Sequence, residues 1–85
     1  MGKEKPVHQI ALGKVRAAVW LNTSEDGKRY FRTTIVRRYR KDEEWLDSSS
    51  FSPEELPAVA QAAQMACTWA CDHSRALYEE DAGEL

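Results

Sequence analysis

Cysteine and histidine each occur only twice, as Cys67 and Cys71 and as His8 and His73, and no apolar run approaches the roughly 18 residues that a membrane-spanning helix needs. These scarcities exclude several classes of function. Two cysteines one helical turn apart staple almost no chain and suit disulfide geometry poorly, so both are expected to stay reduced. His73 falls on nearly the opposite side of a helical wheel from Cys71, so only His8 remains and one chain cannot assemble a four-ligand zinc site: no metal site is expected. Nucleophilic catalysis needs a Ser, Cys or Thr beside a base, and no such constellation is present; nor does any motif imply a cofactor. The expectation is a non-enzyme with no catalytic residues. Residues 1–5 are followed by no hydrophobic signal segment, which points to a cytoplasmic protein without membrane association.

Glycine and proline are also sparse, with four and three residues, while 42% of the chain is hydrophobic and 31% charged, as suits a folded globule. Eighty-five residues allow one domain with a thin core, which makes oligomerisation an expectation. A net charge of −2 is not that of a generic nucleic-acid binder, but its distribution is uneven. Seven of the twelve Lys and Arg residues lie within 28–41, whereas Glu79, Glu80, Asp81 and Glu84 crowd the end without a base.

The pattern predicts an α+β fold, an antiparallel three- or four-stranded β-meander followed by one long C-terminal helix. A flexible leader (1–9), a single domain (10–78) and an acidic tail (79–85) are expected. Val15, Ala17, Val19 and Leu21 alternate with Lys14, Arg16 and Trp20, giving the period of two of a half-buried strand. Gly13 marks a bulge or bend, so residues 7–12 form either a separate short strand or the first arm of a bent one. Thr23, Ser24, Glu25, Asp26 and Gly27 form a turn cluster, and residues 30–41 a second strand. Lys41, Asp42, Glu43 and Glu44 make a polar turn before a weaker strand beginning at Trp45. Ser52, Pro53, Glu54 and Glu55 then read as a helix start, with Ser at the N-cap, Pro at the first position and Glu55 placed to close a capping box. The acidic residues after Tyr78 oppose the negative helix end, so fraying is expected there.

Parity places Val15, Val19, Leu21, Phe31, Ile35 and Tyr39 under the helix, and gathers Lys14, Arg16, Arg32, Arg38 and Arg40 with Trp20 and Tyr30 on the reverse face. Cations interleaved with flat rings suit single-stranded DNA or RNA, since phosphates pair with the cations while unpaired bases stack. On the helix, Leu56, Val59, Ala60, Ala63, Ala66, Cys67, Ala70, Ser74 and Leu77 are expected to face the sheet. A second apolar strip of Ala58, Ala62, Met65, Trp69 and Ala76 is expected to make a homodimer. The alternative is a protein-interaction module with no nucleic-acid role, in which the basic face receives an acidic peptide or the helix strip docks a different protein.

The layout resembles the positive-cofactor-four type of transcriptional coactivator. The stretches that carry the resemblance are Ile10 with Gly13, Lys14 and Arg16, then 35–39, then Phe51, Ser52, Pro53, Glu54, Glu55 and Leu56. It implies a four-stranded meander, a helix-mediated dimer and a sheet that binds single-stranded DNA, and hence a transcription or DNA-maintenance accessory role. Lys14 would match that family's lysine after its glycine, and Arg37 or Arg38 its strand arginine. Arg40 stands where the family has a tryptophan, and Asp42, Glu43 and Glu44 where it has basic residues. The chain is also similar to short bacterial proteins of unknown function that share a pattern seen at Gly13, at 19–22, at 37–40 and at 45–47; that similarity implies no activity.

Overall fold

The structure, a computed structural model, describes residues 5–83, with side chains through residue 77. Four strands, β1 (His8–Leu12), β2 (Val15–Thr23), β3 (Arg29–Lys41) and β4 (Glu44–Ser48), pair antiparallel in the order β1-β2-β3-β4. A 3-10 turn (Pro53–Glu55) leads into one α-helix, α1 (Leu56–Gly83). The expected leader is therefore shorter than drawn, because His8 and Gln9 already pair with Val19 and Ala18. Residues 1–4 of that leader, and the side chains of the acidic tail, lie outside the described residues.

Gly13 makes a turn rather than a bulge. Leu12 pairs with Val15 across Gly13-Lys14, and only Gly13 takes a positive φ (61°), as a tight type II′ hairpin requires of its first central residue. The β2–β3 loop closes on Ser24, whose amide donates to Lys28 O at 2.8 Å and whose hydroxyl donates to the Asp26 carboxylate. That hydroxyl bond, helped by the Lys28 backbone, holds the Asp26 carboxyl below its usual range. The β3–β4 turn places Asp42 and Glu43, two residues with a Cβ, at φ 51° and 66°. Left-handed backbone of this kind favours glycine or asparagine, so the turn is locally strained.

The capping box forms as read. The Ser52 amide donates to Glu55 Oε1 at 2.8 Å, and this bond, more than the nearby charges of Arg37 and Lys14, holds the Glu55 carboxyl below its usual range. Arg37 ties the same cap to the sheet, its Nε lying 3.5 Å from Glu55 Oε1 and donating to Ser50 O at 3.2 Å. The helix does not stop at Tyr78 but runs to Gly83, since an Ala-rich helix of 28 residues propagates past an unfavourable charge at its end.

Ile10, Val15, Ala17 and Val19 of the sheet meet Ala62 and Ala66 of the helix in the core, with Leu12, Phe31, Ile35, Phe51, Ala58, Val59 and Trp69 packed around it. The helix is turned relative to the expected wheel. Ala62 is fully buried, and Trp69 lies edge-on to Phe31 with centroids 5.2 Å apart, flanked by His8 at 4.8 Å and His73 at 3.9 Å, both stacked on the indole. Ala58, Ala62 and Trp69 thus cover the sheet instead of awaiting a partner, while Met65 and Ala76 remain exposed. Of the strip expected against the sheet, Val59 and Ala66 do pack there, whereas Leu56, Ala60, Ala63 and Cys67 lie open. The physical reason is volume: over a floor of Val and Ala, the largest apolar side chain of the helix fills the gap beside Phe31 that small residues would leave empty. The molecule measures 17 Å in its thinnest dimension, one helix on one sheet, and among the described residues no layer covers the other face of the sheet.

Candidate functional site

The register determines what that uncovered face carries. Directly paired residues share a face, so the partners of Arg16, Ala18, Trp20 and Asn22 (Val36, Thr34, Arg32 and Tyr30) lie with them, away from the buried Val15, Ala17 and Val19. From β4, Asp47 sits opposite Arg38 and Trp45 opposite Arg40; from β1, Gln9 and Ala11 join Ala18 and Arg16. The face therefore brings together Arg16, Trp20, Tyr30, Arg32, Arg38 and Arg40, six of the seven residues that parity selects. Four arginines against the single carboxylate of Asp47 leave it at three net positive charges, in a chain whose total is −2.

Lys14 does not join them. It occupies the Gly13-Lys14 turn and lines a separate hollow with Ser52, Glu54 and Glu55 at the helix start, where its charge acts on the Glu55 carboxylate. Arg37 is likewise on the helix side, held by Glu55 and Ser50 with its guanidinium 4.8 Å from the Tyr39 ring centre. Of the two arginines considered for the strand position, only Arg38 reaches the open face.

Each remaining group is held differently. The Trp20 Nε1–H donates to Thr34 Oγ1 at 3.0 Å, pinning the indole across β2 and β3. Arg16 donates to the carbonyls of Gly13 and Val15, the latter at 3.2 Å, and is half-buried. Arg38 Nε lies 3.3 Å from Asp47 Oδ1, with both side chains about half exposed. The Arg40 guanidinium sits 6.0 Å from the centre of the Trp45 ring, while Arg32 projects with no partner among the described residues. Trp45, 63% exposed, and Tyr30, 43% exposed, offer open ring surface to solvent.

Trp45 and Asp47 are the residues that reading the sequence missed. Their signal was the Trp-x-Asp spacing itself, since alternate residues of a strand paired to Arg38 and Arg40 must share the arginines' face.

The middle of the face is hollow. Small side chains at Ala11, Ala18 and Val36 leave a depression of about 570 Å³, bordered by Gln9, Arg16, Trp20, Thr34, Arg38 and Asp47.

No family model, curated protein or solved structure matches this chain.

Among the described residues, no group of three or more His, Cys, Asp or Glu side chains is placed to hold a metal, and no helix is long and apolar enough to cross a membrane. Cys67 and Cys71 are free and exposed, their Sγ atoms 3.8 Å apart, and this hydrogen-bonding contact with Cys67 raises the Cys71 pKa. The arrangement of the open face is one of hydrogen-bond donors, positive charge and flat rings.

Proposed function

We propose that the chain is a non-enzymatic binder of single-stranded nucleic acid that uses the open face of its sheet. The observation that carries this reading is the uncovered array of Arg16, Arg32, Arg38 and Arg40 interleaved with Trp20, Tyr30 and Trp45. Phosphates pair with guanidinium groups, and an unpaired base stacked on an aromatic ring contributes about 1 to 3 kcal/mol whatever its identity. A duplex fits less well, because a sheet without a protruding element places nothing in a groove. The resemblance to the coactivator family points the same way, toward a transcription or DNA-maintenance accessory role.

Fluorescence anisotropy with a labelled oligothymidylate tests the reading. Binding at low salt should weaken with added salt, with a logarithmic slope of about −2 to −3 if three or four phosphates are neutralised. Duplex of the same length should bind more weakly. Absence of binding to any single strand at low salt removes the proposal. Equally tight capture of polyglutamate, unaffected by Trp45→Ala, would favour the acidic-peptide alternative.

The same proposal includes a homodimer, formed by a different part of the helix from the one first expected. Leu56, Ala60, Ala63, Cys67, Ala70, Ser74 and Leu77 recur with alternating steps of four and three, the spacing of a coiled-coil seam, and the side chains at 56, 60, 63 and 67 are exposed. Sedimentation tests it: the expected mass is twice 9.7 kDa, falling to 9.7 kDa for Ala63→Glu. A wild-type mass of 9.7 kDa at high micromolar concentration removes the dimer and leaves the sheet-face reading in place.

A further inference from the structure

The hollow in the open face differs from the array around it. Charge and ring surface alone bind any strand, but here Ala18 on β2 and its diagonal neighbour Val36 on β3 are small side chains that lower the floor beside Arg16, which stands between Val36 and Ala11 of β1. Trp20, fixed by its bond to Thr34, forms one wall. The opposite rim carries the only carboxylate that the register places on this face, Asp47, side by side with the guanidinium of Arg38.

That pair presents a defined hydrogen-bonding edge. Arg38 engages Asp47 through one nitrogen, so further N–H donors of the guanidinium and most lone pairs of the carboxylate stay open beside each other. A carboxylate next to a phosphate-binding surface costs general affinity, and its placement at the hollow is informative because of what it could accept. In a single strand the Watson–Crick edges of the bases are unpaired and available. Guanine alone offers two adjacent donors, N1–H and the 2-amino group, with the O6 acceptor next to them. Adenine and cytosine offer one amino group, and thymine or uracil one imino group. A carboxylate that takes two donors while the neighbouring guanidinium donates to O6 therefore selects guanine.

We infer that the hollow is a guanine-reading subsite, in which the base lies over Ala18 and Val36 and its Watson–Crick edge meets Asp47 and Arg38. The inference rests on the single-strand reading above and adds sequence preference to it.

The test uses labelled oligothymidylates that differ only in one central base. Guanine should tighten binding about tenfold over adenine, cytosine or thymine, a typical discrimination for a bidentate base contact. Hypoxanthine, which lacks the 2-amino group, should lose most of that gain. Asp47→Asn should abolish the preference while leaving affinity for plain oligothymidylate equal or higher, since a negative charge is removed. Asp47 is about half exposed, so this variant should fold, which circular dichroism checks. Equal affinity for all central bases overturns the guanine subsite but leaves the open face as a binder; no binding by any oligonucleotide overturns both. Displacement of the strand by micromolar guanosine monophosphate would assign the hollow to a free nucleotide and overturn the strand reader, whereas a complex that survives millimolar competitor supports it.

Discussion

Strand β2 serves two surfaces with alternate residues, and the contrast between them separates what folds this chain from what the fold exposes. Val15, Ala17 and Val19 are 1%, 2% and 0% exposed and contain nothing polar; Arg16, Ala18 and Trp20, one residue further along, look onto the uncovered side. The packed surface achieves its closure with small side chains, and Val15 and Val19 are the largest that are fully buried among the described residues. The open surface carries four arginines with Trp20, Tyr30 and Trp45. Packing against the helix explains the first composition, and the proposed binding would explain the second. The lesson is that substitutions on the two faces should separate into two measurable effects, loss of folding and loss of binding.

The largest separation is expected between Val19→Asp and Arg32→Glu. An unpaired carboxylate at Val19 costs several kcal/mol, enough to unfold a domain whose total stability is of the order of 5 kcal/mol. Arg32→Glu should leave the urea midpoint within about 0.5 kcal/mol of wild type and weaken oligonucleotide binding. Circular dichroism during urea unfolding, paired with anisotropy, reads both; comparable destabilisation by the two variants would break the comparison. The two tryptophans sharpen it. Trp69→Ala should cost about 3 kcal/mol of stability, whereas Trp45→Ala should leave folding unchanged and lose about 1 to 3 kcal/mol of binding if its ring takes a base.

The β3–β4 turn belongs to neither face and should move stability alone. Replacing its strained pair by Asp42→Asn with Glu43→Gly should raise stability by about 1 kcal/mol, seen as a higher melting temperature with unchanged affinity. The smallest effect concerns pH. The Glu55 carboxyl is held below its ordinary value of 4.5, so its contribution is present above that value and is lost as pH falls through the lower, folded-state value. Glu55→Gln should therefore flatten the acid limb of the stability profile below about pH 4.5 and leave binding at neutral pH intact.

The strands, their turns and the helix start were legible because each rests on local chemistry. Period-two alternation marks β2, Asp26-Gly27 its loop, and Ser52, Pro53 and Glu55 the cap. Helix rotation was not legible. Two apolar strips flank one another on an Ala-rich helix, and a wheel has no means of choosing between them; Trp69 decides by filling space beside Phe31 and His8, residues distant in sequence. The candidate face was legible where parity runs unbroken along β2 and β3. It failed at Lys14, which the turn diverts toward Glu55, and at Trp45 and Asp47, whose register depends on the handedness of the Asp42-Glu43 turn.

The stack of His8, Trp69 and His73 has a practical consequence. Its indole touches an imidazole from the first strand and another from the helix, so its emission depends on the two being docked. The other two indoles, Trp20 and Trp45, lie on the opposite side of the sheet. A chain carrying Trp20→Phe and Trp45→Phe would hold a single fluorophore inside the helix–sheet seam, and one carrying Trp69→Phe would keep only the two on the open side. The molecule thus contains two intrinsic optical probes, one in the helix–sheet seam and one on the open face, that can be read without any attached dye.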